Sequence, residues 1–305
     1  MKPIKNAITY KCALPSATAL ESHFAAHKFR EIGAAEYSIA GFVPVLDDRY
    51  VLPFPGGYAF KLRFDEKILP KASVNHEAQK RIAAIEQKHQ AVLSKEARNN
   101  IVDQVYNELI EIALVKSAAV TAYYRPEDQL LIVATSSKFL ADVLSSRLVK
   151  AVGSIKATTI YIDGITQSLT EKLRSLLNGG EGFGAVFGVG GVCKMKGEAG
   201  KAVSVKVHHI DESRTGLIEA IEAGHKVVEL ELSNGDVSFR LNHKFSTKGI
   251  FFHHDEVDEY EADDEIDAFQ HEASCQMLWL ANAFRELLTL FEYKEPVADT
   301  AGGAA

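Results

Sequence analysis

Between Pro70 and Ile112 the chain writes a helical period twice, and this constrains everything built around it. After Pro70 the apolar positions Val74, Ala78, Ile82, Ile85 and Val92 recur at three-to-four spacing, with Ser73 placed to cap the first turn. After Ser94, Ile101, Val105, Leu109 and Ile112 repeat the pattern. Two amphipathic helices with so short a connection pack side by side, so residues 73–115 are expected as a long antiparallel helical hairpin. Its outer faces carry Lys80, Arg81, Lys88, Lys95 and Arg98.

Strand signals flank this pair. Ala7 to Lys11 reads as a strand and Tyr58 to Phe64 alternates like a half-buried strand, with a helix between them from Thr18 to Lys28. Ala118 to Tyr124 and Leu130 to Thr135 read as a β-hairpin across Arg125-Pro126-Glu127-Asp128. Ser136 or Ser137 then caps a helix through Val149. A strand from Thr158 to Asp163 and a helix from Thr170 to Asn178, closed by Gly179, complete a first α+β region over residues 1–178. Glycines from Gly179 to Gly200 suggest a flexible linker over 179–202. A second region, 203–295, opens with Val203, Val205 and Val207 facing inward and Ser204, Lys206 and His208 on the other face. After a helix to Gly224, Val227 to Leu232 pairs with Val237 to Asn242 across Asn234-Gly235, a type I′ turn signal that sets Glu229 opposite Arg240. Met277, Leu280, Phe284, Leu287 and Phe291 form a last helical stripe, and 296–305 reads as a disordered tail. Strands and helices mix without regular βαβ alternation, which gives an α+β fold with mostly antiparallel sheet.

The formal charge of −7 argues against a nucleic-acid partner only until its distribution is considered. Nine acids fall in thirteen residues from Asp255 to Asp267, so the remainder is close to neutral and leaves room for a basic surface. No stretch is apolar enough to span a membrane, and Cys12, Cys193 and Cys275 lie too far apart for a zinc knuckle or disulfide framework. A soluble protein of the reducing cytoplasm is expected, without a cofactor.

No catalytic motif anchors an enzyme reading. Gly180-Glu181-Gly182-Phe183-Gly184 lacks the Lys-Ser/Thr that a phosphate-binding loop requires. His253-His254-Asp255-Glu256 has metal-ligand chemistry, but adjacent strand residues point to opposite faces and cannot close round one ion. The stripe around Trp279 reads as core or dimer packing. Lys88, Lys95 and Arg98, then Lys116, and then Lys206, His208 and His209 are the remaining chemistry, either as a solubilising face or as contacts for phosphate.

Lys5-Asn6 with Tyr10, Gly41-Phe42-Val43-Pro44, and Glu66-Lys67-Ile68-Leu69-Pro70 leading into the first long helix resemble the recombination-associated protein RdgC family. The likeness continues in order through Leu130-Leu131-Ile132-Val133, Gly153-Ser154, Ile221-Glu222-Ala223-Gly224 and the 228–239 hairpin, and so spans nearly the whole chain. The resemblance implies a homodimer closed into a ring by two subunit contacts, with duplex DNA passing through a hole lined by basic side chains. It also implies nucleoid association, binding without sequence preference, and restraint of a RecA-type recombinase in recombination and replication-fork repair. The family tends to carry Pro-Arg-Ala-Phe after the helical pair. Here Glu111-Ile112-Ala113-Leu114 stands in those places, leaving Leu114 for the subunit contact and Lys116 as the nearby cation. A family stretch rich in Lys and Arg is matched by Lys206-Val207-His208-His209-Ile210-Asp211. Histidine ordinarily titrates near about pH 6.5, so DNA binding weaker than a typical relative's is expected, strengthening toward pH 6. Competing readings are a metal-dependent nuclease using 253–267, and a protein-interaction module whose acidic run mimics DNA.

Overall fold

A computed structural model describes residues 3–155, 157–160, 162–197, 201–253 and 260–294. The first strand, β1 (Asn6–Lys11), is followed by helix α1 (Ala17–Ala26), capped by Ser16, whose Oγ accepts from the Ala19 N–H. Then come β2 (Ser38–Val43), β3 (Val51–Phe54) and the long β4 (Gly57–Lys67). Helices α2 (Lys71–His89) and α3 (Lys95–Ile112) lead into β5 (Val115–Arg125) and β6 (Leu130–Val133). Ser137 caps α4 (Lys138–Val152), after which β7 (Thr158–Thr159) and α5 (Ile165–Leu177) follow. The chain continues through β8 (Gly188–Lys196), β9 (Ala202–Lys206), α6 (Arg214–Glu222), β10 (Lys226–Ser233), β11 (Val237–Asn242) and β12 (Ser246–Phe252) to α7 (Glu265–Leu290).

All twelve described strands join one sheet in the order β2-β4-β5-β6-β1-β12-β11-β10-β8-β9, with β3 on β4 and β7 on β1, every named pair antiparallel. The fold is α+β. Strand alternation sorts the side chains into two cores. Tyr58, Phe60, Leu62, Leu131 and Val133 meet α1 and α4 on one face, while Ala59, Tyr123, Leu130 and Ile132 belong to a core shared with α5, α6 and α7 on the other. The uninterrupted Leu130-Leu131-Ile132-Val133 run follows from this, because β6 is buried on both faces. From β12 to β9 one face carries the core while the other is largely polar and accessible.

Several expectations are corrected. The helix after Pro70 starts at Lys71 with Pro70 itself at the cap position and no side-chain cap, so Ser73 lies inside the first turn. That helix stops at His89, where Gln90 turns left-handed at φ 49°, and Val92 falls outside the stripe and is exposed. The strand expected over 158–163 is only Thr158–Thr159, and the helix expected from Thr170 already begins at Ile165. The β10–β11 register sits two residues from the expected one. Arg240 faces Glu231 and Glu229 faces Asn242, although Arg240 still reaches Glu229 diagonally at 3.8 Å.

The largest correction concerns the expected linker. Gly188–Lys196 is a strand paired on both sides, with β10 and with β9. Its glycines answer to close approach: a β-carbon on Gly191 would lie 1.8 Å from the Val207 carbonyl oxygen, and one on Gly190 would strike Glu231. The Glu231 carboxylate uses that space to accept from the Val192 N–H at 3.1 Å. The stripe of Met277, Leu280, Phe284, Leu287 and Phe291 is buried as expected, in a core that also takes in Ile4, Ala7 and Leu52.

One buried charge couples this fold to pH. Asp65 is almost wholly buried in β4, and Arg63, two residues away on the same face, donates from Nε and Nη2 to its two oxygens at 2.9 and 2.7 Å. The guanidinium holds the Asp65 carboxyl below its ordinary range against the desolvation that would raise it. With the folded value below the unfolded one, this stabilisation is full above about pH 4 and is lost as pH falls through the folded value. Arg63→Ala is expected to cost about 1–2 kcal/mol at pH 7 and to flatten the acid side of the stability curve. Urea titrations at pH 7 and pH 3 check this, and equal losses at both would refute it.

Candidate nucleic-acid interface

The α2–α3 pair carries the first group of expected contacts. The helices run in opposite directions, since Arg81 pairs with Glu108 at 2.7 Å while Glu86, further along α2, pairs with Arg98 near the start of α3. Val74, Ala78 and Val105 fill the seam. At the far end Ser94 caps α3, its Oγ accepting from the Ala97 N–H at 3.2 Å. Glu86 Oε1 accepts from the Leu93 N–H at 2.8 Å and from Arg98 at 2.7 Å, and these two bonds hold its carboxyl below the usual carboxylate range. Arg98 is therefore engaged in shaping the connection. Lys88 and Lys95 beside it are exposed and have no ion-pair partner among the described residues.

Lys116 stands at the opposite end of the pair. It is exposed on β5, with Glu66 of β4 3.8 Å away. The nineteen residues of α2 separate Lys88 from this point by roughly 28 Å of helix. Beside Lys116 the chain presents apolar groups to water: Ile112 is 79% exposed, Leu114 77% and Ile68 52%, and the Ile68 N–H donates to the Leu114 carbonyl at 2.8 Å. Singly exposed apolar residues are ordinary, whereas a contiguous group marks a surface that meets something. Ile112 was expected on the inward face of its helix and is one of the most exposed apolar residues described.

The third group lies on the last strand of the sheet. Lys206 ends β9 opposite Val192, with its side chain exposed as the alternation required. His208 and His209 follow it, both exposed, and the His209 N–H donates to Glu212 at 3.2 Å. From β5 to β9 the ladder spans on the order of 30 Å. One copy of the chain thus holds three separated basic groups and does not gather them into one site. Sequence reasoning missed a fourth: Lys28, Arg147 and Lys150, far apart in the chain, line one cleft. Neither residue type nor spacing gave a signal for it.

Among the described residues no three His, Cys, Asp or Glu side chains are placed to hold a metal ion. His253 packs on Phe251, and 254–259, which include His254, Asp255 and Glu256 of the nuclease reading, lie outside the described residues. The described end of the acidic run serves α7: Asp264 accepts from the Asp267 N–H, and Glu265 and Asp267 sit in the first turn, where the helix dipole favours acids. Burial pushes the Cys12 and Cys193 thiols up to about 12, which leaves them protonated and unreactive. No described helix is long and apolar enough to cross a membrane.

Fold and surface together define an α+β protein with one continuous antiparallel sheet, an antiparallel pair of helices and separated basic groups. A family model described as "Putative exonuclease, RdgC" matches residues 4–294, and the chain belongs to the RdgC family. It is similar to the recombination-associated protein RdgC of Colwellia psychrerythraea, 23% identical over 283 residues that cover 90% of this chain and 91% of the relative. The protein of that name in Neisseria meningitidis serogroup C is 22% identical over 240 residues, 78% of this chain and 79% of the relative. The one in Xanthomonas oryzae pv. oryzae is 26% identical over 232 residues, 75% and 74% of the two chains.

Proposed function

We propose that two copies of this chain close into a ring around duplex DNA and restrain a RecA-type recombinase by occupying its substrate. The observation that carries this reading is the pairing of an exposed apolar group at Ile68, Ile112 and Leu114 with cations set too far apart for one copy to use together. A two-fold contact through Leu114 buries that apolar surface and adds a second set of cations. The α2–α3 pair, read as a long helical hairpin, then projects Lys88 and Lys95 toward the DNA. Arg98 steadies the tip, and Lys116, Lys206, His208 and His209 line the remaining path. Such a protein acts in recombination and replication-fork repair on the chromosome, in the cytoplasm and nucleoid, without cofactor or membrane.

Four lysines from each copy supply about eight phosphate contacts, so log K is expected to fall with log salt at a slope of roughly −7. Because phosphates carry no sequence, affinity is expected to vary little between duplexes. Fluorescence anisotropy on linear and closed-circular duplexes across a salt series, with the mass in solution measured alongside, tests both points. A monomer, a slope near zero or a strong preference for one sequence would overturn the proposal. The exonuclease in the family description favours a second reading, in which the chain removes nucleotides from DNA ends. Time-dependent shortening of an end-labelled duplex with magnesium, absent with chelator, would establish that reading and end the non-enzymatic one.

A further inference from the structure

Two hollows meet along the outer edge of β2, opposite α4. The first is apolar, lined by Ile39, Phe64, Phe139 and Val143, and Phe139 rises from it 56% exposed with its ring edge-on to Phe64 at 5.2 Å. The second, about 350 Å³, is basic: His27, Lys28, Arg30, Arg147 and Lys150 converge there, against the single acid Glu36. Glu36 is taken up by Arg30, whose Nη1 donates to it at 2.8 Å. In the apolar hollow Asp142 is paired with Lys138 at 2.8 Å. Lys28, Arg147 and Lys150 have no ion-pair partner among the described residues. Three free cations in one cleft of a chain whose net charge is −7 form a marked local excess.

The strand between the hollows is bridged on this side at Phe42 and open at Ser38 and Ala40. Phe42 exchanges backbone bonds with the 27–29 segment, which approaches so closely that a β-carbon on Gly41 would lie 2.4 Å from the Phe29 Cα. Alternate residues of a strand turn their N–H and C=O the same way, so Ser38 and Ala40 present theirs outward with Phe42. No described strand pairs with β2 there. An edge left open at Ser38 and Ala40, between an apolar pocket and a cationic one, is the arrangement that takes up a peptide as an added strand.

We propose that the cleft between β2 and α4 binds an extended acidic peptide segment of another protein, which adds to the β2 edge, seats an apolar side chain beside Phe139 and sets its carboxylates against Lys28, Arg147 and Lys150. Charge complementarity selects an acidic partner, and the outward N–H and C=O groups select a peptide over a nucleic acid. The site stands apart from the DNA reading and does not depend on it.

The test uses the full chain and a fluorescein-labelled peptide of about ten residues alternating aspartate with isoleucine and phenylalanine. The same alternation with lysine for aspartate serves as control. Micromolar binding of the acidic peptide alone is expected, falling at least about tenfold in Arg147→Glu/Lys150→Glu and in Phe139→Ala, with circular dichroism melts recorded to show that each variant is folded under the binding conditions. Hydrogen exchange at the Ser38 and Ala40 amides is expected to slow on binding, a change that nearby charge alone would not produce. Failure of the acidic peptide to bind, or equal binding by the variants, would overturn the proposal. So would a shift of the double-glutamate variant to a smaller mass, which would make a second copy the occupant. If that variant loses DNA affinity while the peptide stays unbound, the cleft is a nucleic-acid contact instead.

Discussion

On the proposed two-fold contact through Leu114, Leu114→Asp is expected to split the dimer. Leu114, Ile112 and Ile68 are exposed beside the base of the helical pair, and in the proposed contact a carboxylate at 114 would meet its two-fold copy away from water, the nearby Lys116 already standing beside Glu66. A cost of at least about 3 kcal/mol raises the dimer dissociation constant roughly a hundredfold or more. Sedimentation at micromolar concentration should show a dimer for the parent chain and a monomer for the variant. The monomer's fold should be intact, because the side chain replaced lies in water. Duplex affinity should fall together with the salt slope, since half of the phosphate contacts are lost. A variant that remains dimeric would move the subunit contact elsewhere on the surface.

Phe24→Ala is expected to destabilise the folded chain more than Arg63→Ala does. Phe24 is fully buried on α1, stacked on Phe42 at 3.8 Å and tilted against Phe60 at 5.2 Å, so it joins the helix to two strands at once. Truncation removes those contacts and leaves a cavity that α1 and the sheet cannot both close, at a cost of about 3–5 kcal/mol. Urea unfolding measures it, and a loss below about 1 kcal/mol would mean that α1 re-seats freely. The same change should loosen the 27–29 segment that follows α1 and covers Phe42, and with it the basic side of the β2–α4 cleft. Weaker acidic-peptide binding at unchanged duplex affinity is the expected companion result.

Much of this architecture was written locally. Period-two alternation placed β4, β9 and the exposed side of Lys206, and three-to-four spacing placed α2, α3 and the buried stripe of α7. Ser94 and Ser137 marked helix starts because a hydroxyl at that position bonds the N–H three residues on, a contact that needs no distant partner. The resemblance to the RdgC family was likewise carried by the order of short segments along the chain, and the family model bears it out over residues 4–294.

What tertiary structure decided is everything that depends on two distant segments meeting. Glycines at Gly190 and Gly191 look like a linker from sequence because composition records their freedom and not the reason for it. Only the passage of Val207 and Glu231 within contact distance shows that they are strand positions stripped of side chains to let neighbours in. The β10–β11 register was set by the pairing of whole strands and not by Asn234-Gly235 alone. Ile112 fits a helical face by spacing, yet the helix ends there and its last turn buries Ile110 instead, so a residue chosen for the core lies in water. The cleft that joins Lys28 to Arg147 and Lys150 has no signature in the chain, because charge convergence is a property of where β2 and α4 lie in space. Local periodicity determined the elements of this protein, and long-range packing determined which of its charged and apolar surfaces come together.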